Sequence, residues 1–487
     1  MYLTMYRLTS LLFLFVCSHC FSQNCSSFVL RTKTDVIQEM ICPELMVEDL
    51  KALYAELKST HPDLYRNVDV KQLDSAYFVA ISKATQPKRL IEFTLIINDF
   101  LSEIKDSHTF LNFKELFYFQ RSKRHYLPFD LYTVDGKKTI TRSGLNKLPI
   151  GAELLSINGK SLLFYDSLVY RLTPQESFVV EARKEMADLM LANLVNLYHP
   201  AKRNEYCWTL DSDTLRKTIE GEKFSRFTDD TGTGHHSPEI NFERIGQQAL
   251  LTISTFSARS VNQFKHKLDD VFEALKSNPA QNLIIDLRNN TGGYILLQEY
   301  LMSFLNVSNE RYAANYVYKR SKNDRFEQLG KWQLWRFKKT AEKFYPNGAI
   351  AQEFDFYRSP EGTVDTVLND VKLHNRNNLL YEGPCTVLIN GMSMSAAVNF
   401  TAWFQQSSRG TVLGTTAMGT NAGTFANPIT VFLKNTSLPV MISTMKINPV
   451  WNETEPEKAV KPKANHVILL KDIKASKDAL LDQLLAH

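Results

Sequence analysis

The chain has 487 residues, 44% of them hydrophobic and 22% charged. That is a globular composition, too long for one compact core, so two or three domains are expected and general disorder is excluded. The formal net charge of +5 comes from 57 basic and 52 acidic residues spread along the chain without a basic block, which argues against nucleic acid as the main partner.

At the N-terminus, Arg7 precedes the apolar run Leu11 to Val16, and small residues continue to Ser22. This is the pattern of a cleaved export signal over residues 1–22. The run is well short of the ~20 apolar residues of a spanning helix, and no later segment supplies them, so stable membrane insertion is not expected. A lipid anchor on Cys17 or Cys20 lacks the small residues that should precede it. Export leads to a periplasmic or extracellular location. Of six cysteines, Cys17 and Cys20 fall in the signal, leaving Cys25, Cys42, Cys207 and Cys385. Cys25 and Cys42 could pair in an oxidising compartment. Cys385 opens the run Thr386 to Ile389 and reads as a small buried hydrophobe. With no CxxC or HExxH spacing in the mature chain, and His235-His236 in a Gly/Thr/Ser loop without partner ligands, neither a metal nor an organic cofactor is expected.

Apolar residues at helical spacing predict amphipathic helices over Leu45 to Leu57 and over Pro87 to Lys105, the second ending at Asp106-Ser107-His108-Thr109. Residues 23–125 thus form a helical N-terminal domain. From Tyr126 the period moves towards two, with turns at Val134-Asp135-Gly136-Lys137 and at Asn158-Gly159. The stretch Gly151 to Ser161 resembles the strand and turn of PDZ modules, although any hairpin with an Asn-Gly turn reads alike. Residues 126–245 are expected to be β-rich.

Beyond Gly246 the pattern becomes strand (Ala249 to Phe256), helix (Val261 to Ser277) and apolar strand (Leu283 to Leu287), the grammar of a βαβ unit on a parallel sheet. It recurs as a strand at Cys385 to Asn390 and a helix at Ser393 to Gln406. The first buried strand ends in Asp286-Leu287-Arg288-Asn289-Asn290-Thr291-Gly292-Gly293. Adjacent glycines before a helix expose backbone N–H groups where an oxyanion would be stabilised, or they serve chain geometry alone. No Gly-Lys-Ser/Thr closes a phosphate loop there. The second buried strand ends in Asn390-Gly391-Met392-Ser393-Met394-Ser395-Ala396-Ala397, where a serine at a strand-to-helix turn is either a projecting nucleophile or an N-cap.

In order and spacing, Leu283 to Gly293, Ser395-Ala396-Ala397 and Gly410 to Gly414 resemble the tail-specific (C-terminal processing) and tricorn-core serine peptidases. Leu57 to Tyr65 and Ile104 to Thr109 are similar to the N-terminal helical segment of bacterial members. The resemblance implies an α/β multidomain protein: a helical N-terminal region, a PDZ-like β module, and a C-terminal ClpP/crotonase-like α/β catalytic core over residues 246–487. It also implies a serine-type endopeptidase acting on polypeptide, with Ser395 as nucleophile and the N–H groups of Gly292, Gly293 and Ala396 as oxyanion hole. Many members take their base from a lysine in the turn after the serine helix, where this chain has Thr420. The tricorn-like branch uses a histidine, and His108 matches its motif. That branch also places a glutamate before a Val/Ile-x-Pro segment; Glu457 is the first choice and Glu455 the second, and Lys463 stands where the family has Asp.

The expected chemistry is attack of Ser395 on a peptide carbonyl with His108 as general base, followed by hydrolysis of the acyl-enzyme. Gly293→Val is expected to remove activity with the fold intact. The alternatives are a catalytically decayed protein of the same fold that binds peptide or lipid-like ligands, and an α/β-hydrolase esterase. Gly391 to Ser395 fails the Gly-x-Ser-x-Gly pattern of the latter. N-terminal sequencing of exported protein should start at or near Gln23; a start at Met1 would remove the export signal from the account.

Overall fold

The computed structural model describes residues 39–112, 125, 127–144, 147–198, 202–221, 239–307, 312–322, 331–344, 359–371, 378–450, 456–463 and 465–486. The export signal, Cys25, His235-His236 and Glu455 lie outside them. Cys42 is disulfide-bonded, and because Cys207 and Cys385 are free, its partner also lies outside them.

The helix Pro43–Thr60 buries Met46, Leu50, Leu53 and Leu57 along one stripe, and Leu90–Ser102 buries most of its surface. These are the two helices that periodicity predicts. Between them Val70–Lys83 forms a third, opened by an Asp69–Gln72 capping box but burying only Leu73 and Ala80, too little to mark an apolar period.

The β module opens with the hairpin Phe129–Val134 and Lys137–Ser143, turned through Asp135 (φ 48°) and Gly136 (φ 77°). Glu153–Ile157 turns likewise at Asn158 and Gly159 into Lys160–Ser161. Both are two-residue turns with positive φ, which suit the twist of paired strands. Arg203–Leu210 and Asp213–Glu220 complete the sheet. The region also holds two helices, Leu162–Leu172 and Val180–Tyr198, that a β-rich reading does not anticipate. One buried cluster runs from Ile41 in the helical region to Ile219 in the module and takes in Leu433, Leu438, Val440 and Ile442 from the far end of the chain.

The C-terminal core is a five-stranded sheet ordered Ile240–Ile245, Gln248–Ile253, Asn282–Asp286, Cys385–Ile389, Thr411–Gly414. Its first pair is antiparallel and the rest are parallel. Asp286 pairs with Leu388, so the loops leaving these neighbouring strands emerge side by side at the carboxyl edge, where open parallel sheets bind ligands. A second, antiparallel sheet runs Val364–Val371, Tyr312–Lys319, Met445–Pro449, Thr424–Ala426. Among the described residues no helix is long and apolar enough to cross a membrane.

Segments far apart in sequence meet in a three-stranded sheet, where Phe110–Leu111 pairs with Pro439–Ile442 of the hairpin that begins at Ile429. Asp49 fastens the same hairpin. Fully buried, it accepts hydrogen bonds from Asn435 N and Thr436 N, both 2.9 Å, and from Thr436 Oγ1 at 2.6 Å. Asp49→Ala would leave those donors enclosed and unpaired, so a loss of about 2 kcal/mol is expected in urea unfolding. An unchanged midpoint would mean that the hairpin is held elsewhere.

Candidate active site

The loops that follow Asn282–Asp286 and Cys385–Ile389 are stitched into one unit. Ser393 Oγ donates to Leu287 O at 2.8 Å and Met394 N to Asn290 O at 3.0 Å. Asn390 Oδ1 accepts from Asn289 N at 2.9 Å, and Asn390 Nδ2 donates to Asn289 Oδ1 at 3.0 Å. The serine turn and the glycine turn therefore cannot move independently.

Ser395 sits at φ 53°, ψ −118°, a conformation that a residue with a Cβ rarely adopts. The helix begins only after it, at Ala396, and not at Ser393, because positive φ at Ser395 breaks the helical path. Although Ser395 is the N-cap, its side chain makes no capping hydrogen bond. Among the described residues the hydroxyl has no hydrogen-bond partner, and it stands at a helix N-terminus, where backbone N–H groups favour negative charge.

The expected oxyanion donors separate. Gly292 N–H is taken by Asn290 Oδ1 at 2.8 Å, so Gly292 does not supply a donor. Its role is space: at φ 93°, a Cβ on it would come within 2.6 Å of Ser395 Cβ and 3.0 Å of Ala396 N. Among the described residues the N–H groups of Gly293 and Ala396 have no protein acceptor, which leaves these two to meet an oxyanion.

His108 is largely buried, with Nδ1 3.4 Å from Ser107 Oγ and 3.8 Å from Asp106 Oδ1. Burial pushes its pKa below the ordinary imidazole value, against the opposing pull of Asp106. Asp106 is itself enclosed, which alone would raise its pKa, yet His61, His108 and Ser443 together hold it below the usual carboxylate value. Its Oδ2 lies 3.1 Å from His61 Nε2, 2.6 Å from Ser443 Oγ and 2.5 Å from Thr109 Oγ1, and Oδ1 accepts His108 N at 2.8 Å. Ser443 lies two residues before the Met445–Pro449 strand, so the N-terminal histidine loop is docked on the C-terminal core. On its other side the loop meets the turn at Glu176, whose Oε2 accepts Ser107 N at 3.3 Å and Ser107 Oγ at 3.1 Å. The helix that follows this turn packs Ala182 and Met186, with Val179 before them, against Met392, Met394 and Met418 beside the serine turn. His108 and Ser395 are thus anchored to the same short segment.

Glu457 is placed differently from the expectation that it orients the catalytic group. Its Oε1 accepts Thr420 Oγ1 at 2.8 Å and its Oε2 accepts Arg66 Nη2 at 3.2 Å. Both oxygens are engaged, and neither bonds to His108 or Ser395. Two carboxylates that sequence reading missed lie nearer the serine and histidine loops. Glu176 is one. The other, Glu185, accepts Gly391 N at 2.9 Å, Thr415 Oγ1 at 2.5 Å and Tyr132 OH at 3.2 Å, tying the β module to the start of the serine turn. Burial raises its pKa against those donors. Glu185 lies on the helix Val180–Tyr198 and Glu176 in the turn before it, inside a region read as β-rich, and no spacing pattern singles them out.

The two glycines should respond differently to substitution. A Cβ on Gly293 would lie 2.1 Å from Phe256 C and 2.2 Å from Ser257 N, so Gly293→Val would not keep the fold intact and should cost on the order of 3 kcal/mol or more in thermal unfolding. Gly292→Ala should cost less stability but displace Ser395. Equal melting temperatures for Gly293→Val and parent would show that the close approach is relaxed in solution.

Residues 247–457 match the family model of peptidase family S41. Among solved structures, mature CPAF complexed with lactacystin superposes with a TM-score of 0.61 at 15% identity, covering 91% of this chain and 98% of that one. Mature CPAF gives a TM-score of 0.60 at 15% identity over 91% of this chain and 96% of the other; at such identity the likeness is one of fold. Comparison with curated proteins finds no match. Residues 247–457 therefore make this chain a carrier of a peptidase family S41 domain, the family of tail-specific serine peptidases that its motifs resemble.

Proposed function

We propose that the protein is an exported serine endopeptidase that cleaves polypeptide through an acyl-enzyme on Ser395. The division into a helical domain over residues 23–125, a PDZ-like module over 126–245 and a catalytic core over 246–487 belongs to the same reading. The observation that carries it is the backbone of Ser395: an uncapped hydroxyl held at positive φ on a strand-to-helix turn, with the unpaired N–H groups of Ala396 and Gly293 in the loops around it. Strain at a non-glycine residue marks function when the surrounding hydrogen bonds enforce it. The disulfide at Cys42 supports residence in an oxidising compartment.

In this mechanism Ser395 Oγ attacks the carbonyl carbon as its proton passes to the imidazole of His108. The carbonyl oxygen becomes an oxyanion held by Ala396 N–H and Gly293 N–H. Collapse of the tetrahedral intermediate expels the amine, which takes the proton from His108, and water then repeats the sequence on the ester. A depressed imidazole pKa keeps His108 neutral at pH 7 and so ready to accept the proton. Thr420 carries no titratable group, which leaves the lysine route without its base.

Labelling with a fluorophosphonate probe tests the reading directly. The parent should label at Ser395 and Ser395→Ala should not. Ser395→Ala and His108→Ala should each lower kcat by at least about 10²-fold, the share of a general base, and the double variant should lose little more than either single one. A parent that folds but neither labels nor cleaves peptide would favour the binding-protein alternative.

A further inference from the structure

Between the paired strands Tyr312–Lys319 and Val364–Val371 the chain makes an excursion that contains the helix Lys331–Phe344. Lys319 and Val364 are register partners, so the excursion leaves the core and returns to it at one point. That point lies at the margin of the molecule's second sheet, where Val364–Val371 is the edge strand. No step assigned above uses this helix.

The helix carries Lys331, Arg336, Lys338, Lys339 and Lys343 against Glu342 alone. Trp332, Trp335, Arg336 and Lys339 recur at i, i+3, i+4 and i+7, the spacing of one helix face. All four are exposed, Trp332 at 63% and Trp335 at 57%. The Arg336 guanidinium stands 4.8 Å from the centre of the Trp332 ring, a cation set over an aromatic face. Leu334, which falls off this face, is partly buried. The outward side of the helix is therefore the one that bears both indoles and two of the cations.

A helix that packs on a core turns its large aromatics inward, and here two indoles one turn apart are turned to the outside. An anionic lipid surface satisfies the whole face at once. The indoles settle at headgroup depth, apolar body inward and N–H among polar groups, while the guanidinium and ammonium beside them meet lipid phosphate. A protein interface also draws on Trp and Arg, but it is poor in the lysines that crowd this helix. Nucleic acid asks for a wide basic surface, and 57 basic residues spread among 52 acidic ones do not build it.

We propose that Lys331–Phe344 is a docking helix that lays Trp332, Trp335, Arg336 and Lys339 on the surface of an anionic phospholipid bilayer. With 14 residues it is too short to cross one; it lies in the headgroup plane.

The test uses the chain from Gln23 onwards and vesicles of phosphatidylcholine alone or of equal parts phosphatidylcholine and phosphatidylglycerol. The parent should sediment with the mixed vesicles and not with the neutral ones, and added salt should release it. Arg336→Glu with Lys339→Glu should weaken binding at least about tenfold, and Trp332→Ala with Trp335→Ala by about as much. Melting at the parental temperature would show that these exposed substitutions leave the fold intact. Independently of them, lipid with brominated acyl chains should quench the tryptophan emission of the parent, and the conservative pair Trp332→Phe with Trp335→Phe should lose that quenching. A parent that ignores the mixed vesicles, or folded variants that bind them as the parent does, would overturn the proposal. So would equal binding to neutral vesicles, or tighter binding to a single-stranded oligonucleotide or to polyglutamate than to the mixed vesicles, which would make the face a site for soluble polyanions.

Discussion

Everything around the candidate site hangs on one buried carboxylate. An ionised group taken out of water is costly unless hydrogen bonds and opposite charge surround it, and Asp106 meets that condition with His61, Thr109, Ser443 and the His108 amide. The partners come from three places: His61 from the end of the first helix, Thr109 and the His108 amide from the loop itself, and Ser443 from the turn before Met445–Pro449. The carboxylate therefore locks the helical region to the C-terminal core and, through the same atoms, sets the position of His108. Ion pairs between Lys446 and Asp63 and between Arg66 and Glu457 cross the same boundary, but these are partly exposed and contribute less.

On the core side the constraint is conformational. Holding Ser395 in its sparsely populated region costs roughly 1–3 kcal/mol, and the cross-loop bonds from Ser393, Met394 and Asn390 offset it. Gly292 makes room for the arrangement and Asn290 positions Gly292, so the two asparagine-rich loop starts set the shape of the candidate site.

Much of this is legible in the chain. The buried strands Asn282–Asp286 and Cys385–Ile389 and the helix Val261–Ser277 stand out because parallel-sheet strands are continuously apolar and the helix segregates its faces. The glycine pair and Ser395 each read alone as a turn or an N-cap, and stand out only through the resemblance carried by the order and spacing of their segments. What escapes is whatever depends on contacts distant in sequence. Gly292 and Gly293 look equivalent in sequence, yet one faces Ser395 and the other the Phe256 backbone. Glu457 has the family's place before a proline yet holds Thr420, whereas Glu176 and Glu185 sit on segments with no motif. Helices such as Val70–Lys83, with a narrow buried face, leave no strong period to read.

The three-stranded sheet that joins Phe110–Leu111 to Pro439–Ile442 has a temporal side. The bond from Ser443 to Asp106 spans 337 residues of sequence, so as the chain is made the N-terminal lobe waits for this strand until Ser443 has been added. Contacts so non-local form slowly. A chain that ends before Pro439–Ile442 lacks the surface on which the histidine loop docks.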